Sequence, residues 1–190
     1  GRFTGAVEVF TEISTRQALS QQVEELKKLA LIDPLTELPN RRHFEAQLHS
    51  QLEELRRSRV SFGLLFIDID HFKQVNDLHG HGVGDQVLST VAKTLLHAIR
   101  PFDLVARWGG EEFTGIFPHA QAEDLLGIAD RLRILVANSP AETDTGPLTV
   151  TISIGGTVAS PDDSPASLLK RADDLMYQSK ANGRNRVAVG

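Results

Sequence analysis

The order of strand-like and helix-like segments along the chain predicts an α+β fold in which helices flank an antiparallel sheet. Residues 62–68 form a continuous apolar run, which is typical of a strand buried on both faces. Residues 103–107 and 113–117 lie on either side of Gly109 and Gly110, which predicts a hairpin with the two glycines in its turn. Segments with helical periodicity separate these strands. The resulting order of strand, helix, hairpin, helix and strand is the ferredoxin-like, split βαβ pattern.

Two segments in front of this pattern are predicted to form an N-terminal extension. Residues 1–13 have the pattern of a single strand, which is either the last strand of an upstream sensor domain of the PAS type or a disordered tail. Residues 14–32 are predicted to be a helix, because apolar residues repeat at heptad-like intervals at Leu19, Val23, Leu26 and Ala30. This helix could dock on the domain, or it could be a signalling helix that pairs with the same helix of a second copy of the chain. Residues 33–190 are then the main domain.

The elements of the main domain have recognisable ends. A helix precedes the first strand and has one apolar face, formed by Phe44, Leu48, Leu52 and Leu55. Residues 70–82 are predicted to be a loop with helical character, and Asp85 is expected to cap the next helix. After the hairpin we expect a helix with apolar positions over residues 125–136 and a strand over residues 148–158. A last helix should begin at Ser164 and Pro165 and end at Gly183, with apolar positions over residues 168–176, and residues 187–189 should form a final strand.

Composition and charge exclude several classes of protein. The chain has 190 residues, no cysteine and a net charge of −5, so disulfides, thiol catalysis and Cys–zinc sites are excluded and no basic face for nucleic acid is expected. No apolar run approaches the roughly 20 residues that a membrane-spanning helix needs. No signal peptide is recognisable either. We therefore expect a cytoplasmic protein, without nucleic acid as a partner and without membrane contact by these residues.

Two groups of acidic residues lie at predicted strand ends. Asp68 and Asp70 close the apolar run of the first strand, where a carboxylate is costly unless it meets a cation or water. Glu111 and Glu112 follow the two glycines, and successive side chains of a strand point to opposite faces. If the hairpin lies beside the first strand, Asp68 and Glu111 can converge. Such a pair suits Mg²⁺, which takes one or two carboxylates together with the phosphates of a substrate.

Several separate motifs carry a resemblance to one family. Residues 107–113, Arg-Trp-Gly-Gly-Glu-Glu-Phe, closely resemble the signature of the GGDEF domains, the diguanylate cyclases, in the common variant that has Glu in place of Asp. The resemblance extends over residues 31–189 through further pieces at residues 33–42, 66–73, 76–77, 79–81, 84–85 and 181–186. It implies a palm-type, nucleotidyl cyclase-like fold, which agrees with the predicted split βαβ pattern.

The resemblance implies a metal centre and a substrate. Asp68, the backbone carbonyl of Ile69 and Glu111 would bind Mg²⁺ (or Mn²⁺), with two ions per active site, and Glu112 would join the two other acids as a catalytic residue. The substrate would be GTP. Its binding residues would be Phe72, Lys73, Asn76, His81, Asp85, Lys180 and Arg184.

The binding residues divide by the part of GTP that they would meet. Lys180 and Arg184 match the family's clamp on the β- and γ-phosphates, for which a point charge and a fork-shaped donor are suited. Backbone N–H groups at the start of a helix near residues 72 and 73 would add an anion site. Asn76 and Asp85 match the pair that recognises guanine, since a carboxylate can accept hydrogen bonds from N1–H and N2–H₂.

A second site is implied at residues 100–103, Arg-Pro-Phe-Asp, which match the RxxD motif of the family and are separated from Gly109 by five residues. Arg100 and Asp103, assisted by Arg131 on the following helix, would bind cyclic di-GMP as an inhibitor. The reaction implied is the condensation of two GTP into cyclic di-GMP with release of two pyrophosphates. Because one site holds one GTP, a homodimer is implied.

Two other functions stay open from the sequence. One is a catalytically silent GGDEF module that binds GTP or cyclic di-GMP as a receptor, although such modules usually lose the Gly-Gly-acid-Glu residues, which are intact here. The other is a phosphate-binding palm of the polymerase kind, against which the lack of a basic nucleic-acid groove speaks.

Overall fold

The computed structural model describes residues 30–144 and 146–190. The strand predicted at residues 1–13 and almost all of the helix predicted at residues 14–32 lie outside the described residues. The elements in chain order are α1 (Arg41–Ser58), β1 (Phe62–Ile69), α2 (Phe72–His79), α3 (His81–His97), β2 (Leu104–Gly109), β3 (Glu112–Pro118), α4 (Ala122–Ala137), β4 (Ala141–Thr143), β5 (Gly146–Leu148), β6 (Ile152–Val158), α5 (Pro165–Ala181) and β7 (Val187–Val189).

Five of the strands form one sheet in the order β2-β3-β1-β6-β7, and β4 and β5 pair separately as a short hairpin. The central strand β1 is antiparallel to both of its neighbours, and the edge strand β7 is parallel to β6. The first four of these strands with α3 and α4 between them are the split βαβ arrangement. The predicted α+β, ferredoxin-like fold is therefore confirmed, with one parallel strand added at the edge.

Both faces of the sheet are covered by helices, which explains why β1 is apolar along its whole length. Leu65 and Ile67 pack in the core cluster that includes residues of α3 and α4. Leu64 and Phe66 pack in the cluster that includes residues of α1 and α5. Because side chains alternate along a strand, Asp68 continues the second series and faces the side of the sheet on which α5 lies.

Helix α5 lies unusually close to β6. A Cβ atom added to Gly155 would come within 2.1 Å of both the carbonyl oxygen of Ala172 and the backbone nitrogen of Met176. The hydroxyl of Ser179 donates a hydrogen bond to the carbonyl oxygen of Ile154 at 2.8 Å. Only glycine permits this approach, and it fixes the C-terminal turn of α5 against the sheet.

Two predictions between β1 and β2 are wrong. Residues 70–82 are not a loop, since they contain all of α2 and the start of α3, separated by Gly80 at a φ of 82°. Asp85 does not cap α3, because that helix begins four residues earlier with Gly80 at the N-cap position. Gly80 can adopt a backbone conformation that ends one helix and starts the next, so the polar, glycine-rich segment is helical on both sides of it.

Two strand boundaries also differ from the prediction. The hairpin turn consists of Gly110 and Glu111, since Gly109 still pairs with Glu112 across a bulge that follows Arg107. The strand predicted at residues 148–158 is divided into the end of β5 and the whole of β6, with residues 149–151 outside both strands. Within the described ranges no helix has the length and apolar character needed to cross a membrane.

Candidate active site

The end of β1 and the tip of the β2–β3 hairpin meet, as the sequence predicts. Asp68 lies directly opposite Glu112 in the register of β1 and β3, and cross-strand partners share a face of the sheet. Glu111 lies in the turn, where its carbonyl oxygen accepts a hydrogen bond from the backbone N–H of Ile69 at 3.3 Å. Because the turn is formed by Gly110 and Glu111 and not by the two glycines, Glu112 pairs with Asp68 and Glu111 lies beside it in the turn. Both glutamates are therefore close to Asp68, whereas the sequence predicts only one of them there.

Asp68 is buried, with 4% of its surface exposed, and its two oxygens have different surroundings. Oδ2 forms an ion pair with Nζ of Lys180 at 2.7 Å. Oδ1 is buried and has no hydrogen-bond partner within the described part of the chain. A buried, unpaired carboxylate oxygen is costly, and it is the kind of ligand that a hard cation prefers. Asp68 and the neighbouring Glu111 thus fit a divalent cation.

Burial governs the acidity of this cluster. It raises the pKa of Asp68, although the hydrogen bond and the charge of Lys180 act in the opposite direction. Burial and then the negative charge of Asp68 raise the pKa of Glu111 and likewise that of Glu112, to which Asp173 on α5 adds a further negative charge. The charge of Asp68 thus raises the pKa of both glutamates, and three carboxylates so close together form a region that attracts cations.

The predicted phosphate-binding residues approach the same place from two directions. Lys180 lies in the last turn of α5, and the positive charge of Arg184 in the following loop is close enough to Asp68 to lower its pKa. Phe72 and Lys73 begin α2 directly after β1, and no side chain caps this helix start. An uncapped N-terminus presents backbone N–H groups to an anion. Within the described residues no three His, Cys, Asp or Glu side chains form a metal site by themselves. A cation at Asp68 and Glu111 would therefore need further oxygen ligands, such as phosphates of a substrate.

The predicted base-binding residues lie on α2 and α3. Asn76 packs so closely on α3 that a Cβ atom added to Gly84 would come within 2.0 Å of Oδ1 of Asn76. Asp85 follows Gly84 directly and is exposed, and His81 is exposed at the start of the same helix. The absence of a side chain at position 84 therefore brings the amide of Asn76 next to the backbone that carries Asp85.

Arg107 connects the hairpin to the start of the domain, a role that its place in the sequence does not indicate. Its Nη1 donates to both oxygens of Asp33 at 3.1 and 3.2 Å, and its Nη2 donates to the carbonyl oxygen of Gly110 at 2.8 Å. Burial alone would raise the pKa of Asp33, but hydrogen bonds from Thr36 and Arg107 outweigh it and lower that pKa. Both residues stand in motifs that were recognised, but nothing in the sequence shows that they form a pair.

Asp70 does not join the acidic cluster, although it is two residues from Asp68. Its carboxylate accepts hydrogen bonds from the hydroxyls of Thr151 and Ser153, each at 2.6 Å. Ser153 lies opposite Asp68 in the register of β1 and β6, so Asp70 is on the same side of the sheet as Asp68 but is held by other partners.

Arg100, Asp103 and Arg131 line one cleft of about 450 Å³ at the opposite end of β2 from the hairpin turn. Oδ2 of Asp103 accepts a hydrogen bond from the backbone N–H of Arg100 at 2.9 Å, which closes the turn that carries both residues. Nη2 of Arg131 donates to the carbonyl oxygen of Ala98 at 2.9 Å. The structure therefore brings together the three residues that the sequence predicts for a second site.

Fold and site together define a domain with a carboxylate-rich centre at the tip of a glycine hairpin, beside the predicted phosphate-binding residues. The family model described as "Diguanylate cyclase, GGDEF domain" matches residues 30–186. The chain belongs to this family, and the resemblance inferred from its motifs is confirmed.

Curated relatives agree with this assignment. The response regulator PleD of Caulobacter vibrioides is 44% identical over 172 residues, which are 89% of this chain and 38% of PleD. Diguanylate cyclase DgcM of Escherichia coli is 40% identical over 165 residues, which are 86% of this chain and 39% of DgcM. The chain thus spans less than two fifths of the length of these relatives.

Solved structures also match this chain. The coiled coil and GGDEF domain of DgcB from Caulobacter crescentus, in complex with c-di-GMP, matches 97% of this chain and 98% of its own with a TM-score of 0.91 and 31% identity. Diguanylate cyclase SiaD from Pseudomonas aeruginosa, in complex with its activator SiaC, matches 97% of this chain and 72% of its own with a TM-score of 0.84 and 34% identity.

Proposed function

We propose that this protein is a diguanylate cyclase, which condenses two GTP into cyclic di-GMP and releases two pyrophosphates. The observation that carries the proposal is the convergence of Glu111 and Glu112 on the buried carboxylate of Asp68, one of whose oxygens is unpaired. Relatives named as diguanylate cyclases support it. The residues that silent members usually lose, at positions 109–112, are intact.

Asp68, Glu111 and the backbone carbonyl of Ile69 would bind the metal. The metal would be Mg²⁺ or Mn²⁺, with two ions in each active site. Such an ion would lower the pKa of the attacking hydroxyl and offset negative charge that develops on the phosphates. When ionised, the carboxylates of Asp68, Glu111 and Glu112 outnumber the cations of Lys180 and Arg184 by one, so the site attracts a cation before any nucleotide binds. Glu112 would act beside these ligands as the third acid of the catalytic centre.

Lys180 and Arg184 would bind the β- and γ-phosphates of GTP. In the structure Lys180 forms an ion pair with Oδ2 of Asp68, which places its ammonium group beside the proposed metal ligands, where it could bind a phosphate. The backbone N–H groups at Phe72 and Lys73 would hold the phosphate chain from the other side, since α2 begins there without a side-chain cap.

Asn76 and Asp85 would recognise guanine, and His81 would line the pocket. Asp85 is free for this role, because it does not cap its helix. A carboxylate accepts hydrogen bonds from N1–H and N2–H₂ of guanine, whereas adenine offers no such pair of donors at these positions.

Each half-reaction would join the 3′-hydroxyl oxygen of one GTP to the α-phosphorus of the other. The bond from that phosphorus to the bridging oxygen of pyrophosphate breaks, and the hydroxyl proton is lost. Positioning and electrostatic stabilisation are expected to supply most of the rate enhancement, as in other phosphoryl transfers.

Because one site holds one GTP, two protomers must face each other. The DgcB structure includes a coiled coil, which supports pairing through residues 14–32. We further propose that residues 33–190 are the catalytic domain and that the protein is cytoplasmic.

Replacing Gly84 with Ala is expected to weaken Mg–GTP binding by roughly tenfold, the equivalent of one to two hydrogen bonds. The added methyl group would occupy the position of Oδ1 of Asn76 and turn the amide away from the base. Equilibrium binding of a GTP analogue without the 3′-hydroxyl measures the effect.

The matched control for this variant is Gly82→Ala, in the same helix, where an added Cβ meets nothing within 4 Å. If both variants bind Mg–GTP as the wild type does while they stay folded, Asn76 has no part in binding the nucleotide.

We also propose that the cleft of Arg100, Asp103 and Arg131 binds cyclic di-GMP and thereby limits turnover. Replacing Arg100 with Ala is expected to leave initial rates near those of the wild type and to raise the inhibition constant of cyclic di-GMP at least roughly tenfold, because a charged fork on a phosphate or guanine is lost. Full progress curves with and without added cyclic di-GMP measure this. Arg100 is a cleaner choice than Asp103, whose carboxylate also closes the turn.

Arg57→Ala is the control for this experiment, since Arg57 is an exposed arginine of α1 paired only with Glu54 among the ion pairs of the described residues. If wild type, Arg100→Ala and Arg57→Ala slow identically as product accumulates, the cleft is not an inhibitory site.

The competing function is a silent module that binds GTP or cyclic di-GMP as a receptor. Incubation with GTP and Mg²⁺, followed by identification of the nucleotides by chromatography and mass, distinguishes the two. A diguanylate cyclase yields cyclic di-GMP and pyrophosphate, whereas a receptor returns GTP unchanged.

A further inference from the structure

The loop after α5 has an unusual backbone. Gly183, Arg184 and Asn185 follow one another with φ angles of 113°, 61° and 46°. The left-handed conformation is free for glycine but unfavourable for a residue with a side chain unless the surroundings enforce it. Two such residues in succession, one of which is in the proposed phosphate clamp, must be held in place by other parts of the domain.

Two contacts to Asn185 hold this loop. The backbone N–H of Asn185 donates to Oδ2 of Asp70 at 2.9 Å. Its side-chain Oδ1 accepts from Nη1 of Arg133 on α4 at 2.9 Å. Arg133 is itself oriented by Asp130, one turn earlier on the same helix, whose Oδ1 accepts from Nε at 2.8 Å. The backbone N–H and the side-chain oxygen of Asn185 are therefore both engaged, and the backbone N–H of the preceding Arg184 donates to the carbonyl oxygen of Ser179 at 3.1 Å.

Asp70 gives the contact its rigidity. Its side chain is only 4% exposed, and besides Asn185 it binds the hydroxyls of Thr151 and Ser153. Asp70 also follows the metal-binding segment of the proposed site directly, since it is two residues from Asp68. One buried carboxylate thus joins the end of β1, the start of β6 and the loop that carries Arg184.

We propose that Asn185, held by Asp70 and Arg133, is a positioning residue that aims Arg184 at the terminal phosphates of GTP. The role rests on the proposed function. Arg184 is exposed, so its direction is set mainly by its backbone. Without the two contacts, Asn185 would relax to a negative φ, and the backbone that carries Arg184 would shift relative to the carboxylate of Asp68, whose pKa the charge of Arg184 now lowers.

The alternative is that the loop contacts only support the edge strand. The backbone N–H of Ile154 donates to the carbonyl oxygen of Arg186 at 3.0 Å, and β7 begins at the next residue. The two roles differ in the nucleotide that they affect. A positioning role concerns the β- and γ-phosphates, which GMP lacks, whereas a role limited to the edge strand changes stability and treats GTP and GMP alike.

The test measures equilibrium binding of two nucleotides, GMP and a GTP analogue without the 3′-hydroxyl, to the whole protein with Mg²⁺. The variant Asn185→Gly keeps the positive φ possible and removes only the side-chain acceptor of Arg133. We expect it to lose roughly three- to tenfold in affinity for the GTP analogue, the equivalent of about one hydrogen bond, with unchanged affinity for GMP.

Arg133→Lys is the second variant, because lysine keeps the charge but not the fork that binds Asp130 and Asn185 together. Its control is Arg57→Lys, which changes an arginine in the same i, i+3 geometry on α1, far along the chain from the clamp. We expect Arg133→Lys to show the loss selective for the triphosphate and Arg57→Lys to bind both nucleotides as the wild type does.

The outcomes separate the inference from the function on which it rests. Wild-type protein that binds neither nucleotide overturns the proposed function and this role with it. Wild-type protein that binds the GTP analogue, together with an Asn185→Gly variant that binds it equally well or loses GMP to the same extent, overturns the positioning role alone. A loss confined to the triphosphate in both variants establishes the role.

Discussion

Replacing Asp68 with Asn is expected to abolish turnover and leave the melting temperature of the free protein unchanged or higher. The amide is a poor metal ligand. Loss of a residue that only supports a metal ligand costs up to about a hundredfold, so loss of the ligand itself should reduce turnover by at least that factor. Burial raises the pKa of Asp68, so the ionised carboxylate is less favourable in the folded than in the unfolded protein. The wild type therefore loses stability as the pH rises from the ordinary carboxyl range through the raised pKa.

Two measurements check this prediction. Asp68→Asn should be at least as stable as the wild type at neutral pH, and the difference should vanish in acid, where both side chains are uncharged. Added Mg²⁺ should raise the melting temperature of the wild type only, because a ligand stabilises the state that binds it. Substantial Mg²⁺-dependent turnover by Asp68→Asn would contradict the assignment of the metal ligand.

Asp163→Asn is a matched control for which the expected change in stability at neutral pH has the opposite sign. Hydrogen bonds from Arg171, which outweigh burial, lower the pKa of Asp163. The contribution of this carboxylate to stability is therefore present above the ordinary carboxyl pKa and is lost as the pH falls through the lowered value. At neutral pH the variant should melt at a lower temperature than the wild type and still turn over GTP.

Replacing Gly155 with Ala is expected to cause the largest loss of stability. The added methyl group would meet the backbone of α5 at Ala172 and Met176 at 2.1 Å, and a helix backbone cannot move aside as a side chain can. Overpacking of this kind costs about 3 kcal/mol or more, equivalent to a fall in melting temperature of roughly 6–12 °C for a domain of this size. Lys180 belongs to the same helix, so nucleotide binding should weaken in whatever fraction stays folded.

Gly127→Ala is the control, because Gly127 lies within α4 and an added Cβ meets nothing within 4 Å. Alanine in a helix is favoured over glycine by roughly 0.5–1 kcal/mol, so this variant should be slightly more stable than the wild type. Equal stability of Gly155→Ala and the wild type would contradict the close packing of α5 on β6.

The sequence predicts those parts of the fold that have a strong period or a strong local signal. The apolar run of β1 and the helical stripes of α1, α4 and α5 lie where the pattern predicts them, because burial decides these elements. The pattern fails for segment 70–82, because its polar and glycine-rich composition is equally compatible with a loop and with a short helix that meets the start of a longer one at Gly80. The turn at residues 110–111 was misjudged by one residue, because the bulge after Arg107 has no sequence signature.

Within the site, the sequence predicts the ligands better than the residues that hold them. Asp68 and Glu111 stand in recognisable motifs, Lys180 directly precedes one, and the structure brings the three residues together. The pairs Arg107 with Asp33 and Asn185 with Asp70 are separated by many residues in the chain, and each side chain alone has an ordinary explanation at a turn or a strand end. A single sequence contains no signal for such long-range pairs.

The central claim is that two protomers, each with one GTP, complete one reaction. The most direct measurement is release of pyrophosphate and formation of cyclic di-GMP from GTP and Mg²⁺, followed together over a series of protein concentrations. We predict two pyrophosphates per cyclic di-GMP and a rate per protomer that rises with concentration until dimerisation is complete. GTP that binds but yields no cyclic di-GMP at any concentration would contradict the claim, as would a rate per protomer that stays constant down to concentrations at which the protein is shown to be monomeric.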